Sequence, residues 1–236
     1  MVSVISLLLA QPTPHLQSQV GEEGFWQTMG AEYARKLFAG VDRYLQQPHT
    51  NYLLTDSPEL APVGVIAIPT PLSREQGPGW WGKMAIFHPD VLPQGDKALY
   101  LDLDNVVCGP LDKIVDLAPV SLLMVDDMYT PGLPNGSAIL FYPRYCTDLW
   151  HEYIRHPLDL QAEFSQYPNQ WADQGFIATR RGFQPMQTLL EPGVILNSRV
   201  HIEPGADYAG ASLVIGGHHP KPHESTAEFY RQHWIA

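Results

Sequence analysis

Apolar positions along the chain fall into two periods. Val2 to Leu9 is an apolar run rich in β-branched residues and is followed by Gln11-Pro12-Thr13-Pro14, which predicts a buried strand that stops at a loop. Residues 11 to 24 read as an insertion. From Phe25 to Leu45 the apolar residues Phe25, Met29, Tyr33, Leu37, Val41 and Leu45 recur every fourth position, the spacing of one helical face, and Pro48 closes that helix. Tyr52–Thr55 and Val63–Ile68 are short apolar segments separated by the turn-like Asp56-Ser57-Pro58, and predict two strands. After the Pro- and Gly-rich stretch 69–79, Trp80–Phe87 predicts a short helix that ends before Pro89. Ala98–Leu103 predicts a central strand. Val120–Val125 and Ala138–Tyr142 predict two more, with Asn135-Gly136 expected as the turn between them. Strands alternating with helices through residue 143 predict an α/β fold, a mostly parallel central sheet flanked by helices, in a single domain over 1–236. In such sheets ligands bind beyond the C-terminal ends of the strands.

Composition narrows the choice of ligand. The 236 residues carry 14 Lys plus Arg against 25 Asp plus Glu, a formal charge of −11, so no broad basic surface exists for a nucleic acid backbone. Charged residues make up 17% of the chain, below the usual level of about 25%. With 22 Pro and 19 Gly, the composition favours many ordered turns over long exposed helices. Cys108 and Cys146 are the only cysteines, too few for a disulfide framework and without zinc-knuckle spacing. They read as small packing residues, and a reducing, cytoplasmic location is expected. Val2–Ala10 has the apolarity of a signal peptide but lacks a basic flank and a small-x-small cleavage site. No stretch reaches the roughly eighteen apolar residues of a membrane span; peripheral membrane contact is compatible with the chain.

The candidate chemistry sits where the central strand ends. Ala98-Leu99-Tyr100-Leu101-Asp102-Leu103-Asp104 leads four apolar or aromatic residues into an Asp-x-Asp pair. Residues two apart on a strand share a face, so both carboxylates are expected to converge on one hard cation and leave coordination sites for diphosphate oxygens. Two solvated carboxylates at a strand end would be the structural alternative.

Read with its surroundings, this strand resembles the Asp-x-Asp strand of nucleotide-sugar glycosyltransferases of the GT-A fold, a Rossmann-like α/β architecture, and particularly the glycogenin-like and bacterial lipooligosaccharide galactosyltransferase group. Gly79-Trp80-Trp81-Gly82-Lys83 with Phe87 is similar to the tryptophan/lysine helix before the metal strand. Asn135-Gly136-Ser137-Ala138 resembles an Asn-Ser-Gly strand with altered order. Ala172-Asp173-Gln174-Gly175 is similar to an Asp-Gln element, and Gly217-His218-His219-Pro220-Lys221-Pro222 to a C-terminal His…Lys-Pro element. The resemblance covers roughly residues 2–9 and 27–225.

It implies a donor that is a nucleotide diphosphate sugar and an acceptor that is a carbohydrate or another hydroxyl compound. It also implies a divalent cation, Mn2+ or Mg2+, held by Asp102, Asp104 and a histidine, the histidine favouring manganese. His218 is the expected ligand and His219 the alternative, because the family's glycine between histidine and Lys-Pro is replaced here by Gly216-Gly217 before the two histidines. Asp102 would also approach the ribose, and Lys221 would meet the diphosphate as a point charge. Asn135 and Ser137 would line the donor, Asp173 would bind donor hydroxyls, and Gln174 would lie near the anomeric carbon, with retention of configuration if the likeness is close. Several of these residues have plainer readings. Asp173 also suits a helix N-cap. Lys83 suits either a donor contact or a stem laid over the helix surface, and Trp80 and Trp81 are expected to be one buried, one exposed. His218, His219 and His223 also suit a polar surface turn.

Two other functions share some of these features. Leu101-Asp102-Leu103-Asp104-Asn105-Val106 also resembles the first motif of haloacid-dehalogenase-like phosphatases, with Asp102 as nucleophile and Asp126-Asp127 as the later acidic pair. That motif normally opens its domain, whereas about a hundred residues precede it here. A non-catalytic sugar-nucleotide-binding protein would keep the pocket without turnover.

Overall fold

The computed structural model describes residues 1–9, 29–165, 172–217 and 219–236. Ten strands run in chain order: β1 (Val2–Leu8), β2 (His49–Thr55), β3 (Ile66–Pro69), β4 (Lys97–Leu101), β5 (Val106–Val107), β6 (Leu122–Asp126), β7 (Pro134–Phe141), β8 (Gln184–Pro185), β9 (Ile195–Asn197) and β10 (Leu213–Ile215). Seven form the central sheet in the order β3-β2-β1-β4-β7-β6-β8. Strands β3, β2, β1 and β4 are mutually parallel. β7 runs antiparallel to both of its neighbours, and β6 is parallel to β8. The sheet is therefore mostly parallel, with one reversed strand beside β4.

The apolar runs fill both sheet faces because side chains alternate along a strand. Val4, Leu99, Leu101 and Leu140 face one core with Tyr33, Leu37, Phe38 and Val41 of helix α1 (Ala31–Tyr44). Ile5, Tyr100, Ile139 and Phe141 face the other, with Trp81, Met84, Ile86 and Phe87 of a 3-10 helix at Gly79–Phe87. Helices α2 (Asp112–Val115), α3 (Thr147–Tyr153), α4 (Pro157–Ser165), α5 (Ala172–Arg181) and α6 (Glu228–His233) complete the layers. Strands β5, β10 and β9 make a second, three-stranded sheet. Among the described residues, no helix is long and apolar enough to cross a membrane.

The structure moves several expected boundaries. The four-residue apolar stripe continues through Leu45, but α1 begins at Ala31; Phe25 and the insertion at 11–24 lie outside the described residues. The strand expected at Val63–Ile68 is Ile66–Pro69, and Val63 is fully exposed. Trp81 is buried and Trp80 half-buried, where one buried and one exposed ring were expected. Asn135-Gly136 is not a turn. Both residues lie within β7, and the true connection is 127–133. Asp127 Oδ1 accepts from the amides of Tyr129 and Thr130 there, and Asp126 Oδ1 from that of Gly132. Carboxylates capping backbone amides are a stronger turn device than an Asn-Gly pair whose own amides are taken by a sheet and a neighbouring helix.

Helix α5 carries the candidate residues Asp173 and Gln174, so its seating fixes their place. Phe176 is fully buried, with ring centroids of Trp81, Tyr153 and Phe164 at 6.4, 6.1 and 5.7 Å. Replacing Phe176 with alanine should destabilise the protein by about 3–5 kcal/mol, read as a lower urea midpoint at unchanged m-value. A loss under about 1 kcal/mol would mean that this aromatic cluster does not anchor α5.

Candidate active site

Strand β4 stops at Leu101, so Asp102-Leu103-Asp104 is a turn beyond the strand and not its last three residues. The amide of Asn105 closes that turn on the carbonyl of Asp102 at 3.1 Å. The expectation that strand period puts both carboxylates on one face is corrected by this turn. Each carboxylate instead meets its own lysine.

Asp102 faces Lys83 and Tyr100. The Tyr100 hydroxyl donates to Asp102 Oδ1 at 2.6 Å, and Lys83 Nζ lies 3.4 Å from the same oxygen. Lys83 Nζ also lies 3.1 Å from Asp173 Oδ2 and donates to the Gly136 carbonyl at 3.0 Å. Its ammonium is buried, so Lys83 is not a stem spread over a helix surface. Burial pulls the Lys83 ammonium towards the neutral form, but Asp102 and then Asp173 outweigh it, and the net shift is upward. Burial pushes the Asp173 carboxyl up, and Lys83 offsets only part of this. Burial and the Asp102 charge likewise raise the Tyr100 phenol well above its usual range. Asp173 thus serves as an internal counter-ion rather than a solvent-facing cap.

Asp104 faces Lys221. The buried Lys221 ammonium donates to Asp104 Oδ2 at 2.6 Å and to the Gly217 carbonyl at 2.9 Å. A Cβ on Gly216 would lie 2.3–2.5 Å from the three carboxyl atoms of Asp104, so only glycine lets the strand end approach the acid this closely. His219 hydrogen-bonds Glu224 at 2.9 Å, and Tyr33 pairs with His223. These two histidines fit the polar-turn reading; the preferred ligand His218 lies outside the described residues. Among the described residues, no group of three or more His, Cys, Asp or Glu gathers in metal-binding geometry.

The start of β7 runs alongside. Asn135 Oδ1 accepts from the Ser137 amide at 2.9 Å, and Gln174 Oε1 from the Gly136 amide at 3.0 Å. A Cβ on Gly136 would lie 3.1 Å from Lys83 Nζ and 3.4 Å from Asp173 Oδ2. Lys83, Asp102, Asp104, Asn135, Ser137, Asp173, Gln174 and Lys221 therefore meet at one end of the sheet. Two contributors escaped the sequence reading. Tyr100 shares the strand face of Asp102 and was recoverable from period two. Asn105 was not, because its partners Ser137 and Gly216 are 32 and 111 positions away.

Searches for relatives sharpen this picture at the level of fold. No family model matches the chain, and no curated protein does so significantly. Among solved structures, the glycosyltransferase GlyE of Streptococcus pneumoniae TIGR4 superposes with a TM-score of 0.62 at 17% identity over 99% of this chain, which spans only 60% of GlyE. The galactosyltransferase LgtC, solved with donor and acceptor sugar analogues, superposes at 0.61 and 13% identity, over 98% of this chain and 93% of LgtC. The bifunctional glycosyltransferase WbbM superposes at 0.53 and 12% identity, over 98% of this chain and 48% of WbbM. The chain has the GT-A fold. LgtC has also been solved with an active-site glutamine changed to glutamate. The GT-A topology places Asp102 after the fourth strand, and Asp126 and Asp127 are spent on capping a loop, so the phosphatase reading loses both its opening strand and its later acidic pair.

Lys83 stands between the two carboxylates Asp102 and Asp173, which sets a test. Lys83→Met should cost about 3–5 kcal/mol near neutral pH, since it leaves buried carboxylate uncompensated. Asp173, whose carboxyl is already raised by burial, would rise further in the variant. A raised acid favours the folded state below its folded pKa and loses that advantage as pH climbs through it. The deficit of Lys83→Met should therefore shrink as pH falls, in urea unfolding compared at about pH 8 and about pH 5. A deficit independent of pH would remove Asp173 from this network.

Proposed function

We propose that the chain is a metal-dependent glycosyltransferase that moves a sugar from a nucleoside-diphosphate-sugar donor to a hydroxyl acceptor, a carbohydrate or another alcohol. The observation that carries this reading is the meeting of Asp102 and Asp104 with two buried ammonium groups at the strand ends of a GT-A sheet. A nucleoside diphosphate is strongly anionic, and a chain of charge −11 binds it only where the local field is inverted. Asp102 and Asp104, with His218, are the residues that would hold Mn2+ or Mg2+. Their hard carboxylate oxygens suit either ion, and the space Gly216 leaves against Asp104 keeps that carboxylate at the strand end. Such an ion, when bound, neutralises charge on the departing diphosphate.

The protein groups divide the remaining work. Lys221, which donates to Asp104 and the Gly217 carbonyl, would turn to diphosphate oxygens as their charge grows, a preorganised cation that needs little solvent rearrangement. Lys83 and Asp173 bind sugar hydroxyls from beneath, with Asn135 and Ser137 along the donor. Gln174, held against the Gly136 amide, borders the anomeric carbon; LgtC also has a glutamine in its active site. Transfer with retention of configuration is part of this proposal, as the resemblance of the motifs to the glycogenin-like and lipooligosaccharide galactosyltransferase group implies. The acceptor would be met by the segments 11–24 and 157–171; of these, 157–165 is helix α4, and the rest lies outside the described residues. Both cysteines are unpaired, in keeping with a cytoplasmic enzyme, and contact with a membrane surface would be peripheral.

Three measurements test the reading. UDP, GDP, ADP and CDP should each be screened by thermal shift with and without Mn2+, and one should raise Tm only when metal is present. The corresponding nucleotide sugars should be slowly hydrolysed without acceptor, and Asp104→Asn should lower kcat/KM for that reaction by about a hundredfold or more. Binding without any hydrolysis would favour the non-catalytic sugar-nucleotide-binding alternative, and neither binding nor hydrolysis would overturn the proposal. Proton NMR of the first-formed sugar product should show the anomer of the donor; the opposite anomer would exclude retention.

A further inference from the structure

The Asp-x-Asp turn is followed by a side chain that neither the metal nor the donor needs. Asn105 is fully buried, and its amide works in two directions. Nδ2 donates to the Ser137 carbonyl on β7 at 2.7 Å, and Oδ1 accepts from the Gly216 amide, just beyond β10, at 3.1 Å. The Ser137 carbonyl also accepts from the Asp102 amide at 2.8 Å. One side chain thus bridges the central sheet and the second sheet at the place where Asp102, Asp104 and Lys221 meet. We infer that Asn105 is a positioning residue: it latches the end of β10 onto the Asp-x-Asp turn and so holds Lys221 at the diphosphate site.

The geometry leaves little else for that task. Strand β10 is short: its ladder to β5 reaches only Val214 against Val106, and its ladder to β9 ends at Ile215 against Asn197, so neither extends to Gly216. Beyond it, Gly216 has its amide on Asn105 and its α-carbon against the Asp104 carboxylate. Lys221 then returns to Asp104 Oδ2 and to the Gly217 carbonyl. Loss of the Asn105 amide would orphan a buried N–H on one side and remove a donor from a carbonyl on the other, which destabilises the docked strand end relative to an open one. Lys221 would then spend less time at the site, and the donor would bind a smaller docked fraction.

The functional half of this inference rests on the glycosyltransferase reading, so the test has an arm that does not. Hydrogen exchange with mass spectrometry is compared in wild type and Asn105→Ala, on peptides spanning Leu213 to Lys221 and on peptides from β1 and β4. Faster exchange by about tenfold confined to the first set is expected. Unchanged exchange there overturns the latch, whatever happens to activity. In the second arm, Mn2+-dependent hydrolysis of the nucleotide sugar accepted by wild type should show donor KM raised about tenfold with kcat within about twofold, because undocking weakens binding while the docked state reacts as before. Local acceleration with an unchanged KM overturns the link to the donor. If wild type hydrolyses no nucleotide sugar, that link falls together with the proposed function, while the exchange arm still decides the latch. Gly216→Ala keeps Asn105 and forces the strand end off Asp104 from the other side. It should show the same localised exchange, and decides the latch if Asn105→Ala does not fold; Gly216→Ala exchanging like wild type in that segment overturns it.

Discussion

The arrangement of this site depends on two buried ammonium groups set against carboxylates in an acidic protein. Lys83 stands between Asp102 and Asp173, and Lys221 stands on Asp104. Both ammonium groups and Asp173 are buried while Asp102 is partly exposed, so the lysines carry a desolvation cost that close geometry offsets. That explains the tightness of the surroundings. Gly136 and Gly216 sit where any side chain would strike the ion pairs, and Tyr100 adds a hydroxyl to the one Asp102 oxygen that Lys83 touches. Were Lys83 absent, the chain would keep the buried Asp173 carboxylate without the cation that offsets its burial.

The topology delivers these groups from distant parts of the sequence. β4 ends in the middle of the sheet, and the reversed strand β7 begins beside that end because antiparallel pairing brings Ala138 opposite Leu101. The 3-10 helix lies on one face and supplies Lys83, and α5 closes the same face with Asp173 and Gln174. The second sheet brings the chain back from β10, so that Lys221 arrives from the opposite side. A cleft at strand ends bordered by two layers and a returning C-terminal segment is the usual place for ligands in open α/β sheets. The same arrangement suits an anionic donor here, since the cationic groups come from both sides of the turn.

Local pattern made much of this legible. The four-residue stripe of α1, the apolar runs of β1 and β4, and the Trp- and Lys-containing 3-10 helix each follow from neighbours a few residues apart, and each appears within a few residues of its expected position. The Asp-x-Asp pair stood out because four apolar or aromatic residues led into it. Asn135-Gly136 misled for the same local reason: the dipeptide has the chemistry of a tight turn, yet strand pairing with β4 and the Gln174 contact claim its backbone. The carboxylates Asp126 and Asp127 were available as a possible acidic pair and turned out to cap a loop. Asn105 carried no local signal, because a side-chain amide at the end of a strand is common and its meaning comes entirely from Ser137 and Gly216.

Sequence by itself determined the fold class, the strand that the acids follow, and several of the residues that meet there, because periodicity and motif order depend on short-range sterics and hydrophobic burial. Only the tertiary structure decided which acid pairs with which lysine. Strand period had put Asp102 and Asp104 on one face. The turn beyond Leu101 separates them, and contacts spanning more than a hundred positions assign Asp104 to Lys221. Electrostatic pairing in a low-dielectric interior is set by distance and burial, and neither is written in the spacing of residues along the chain.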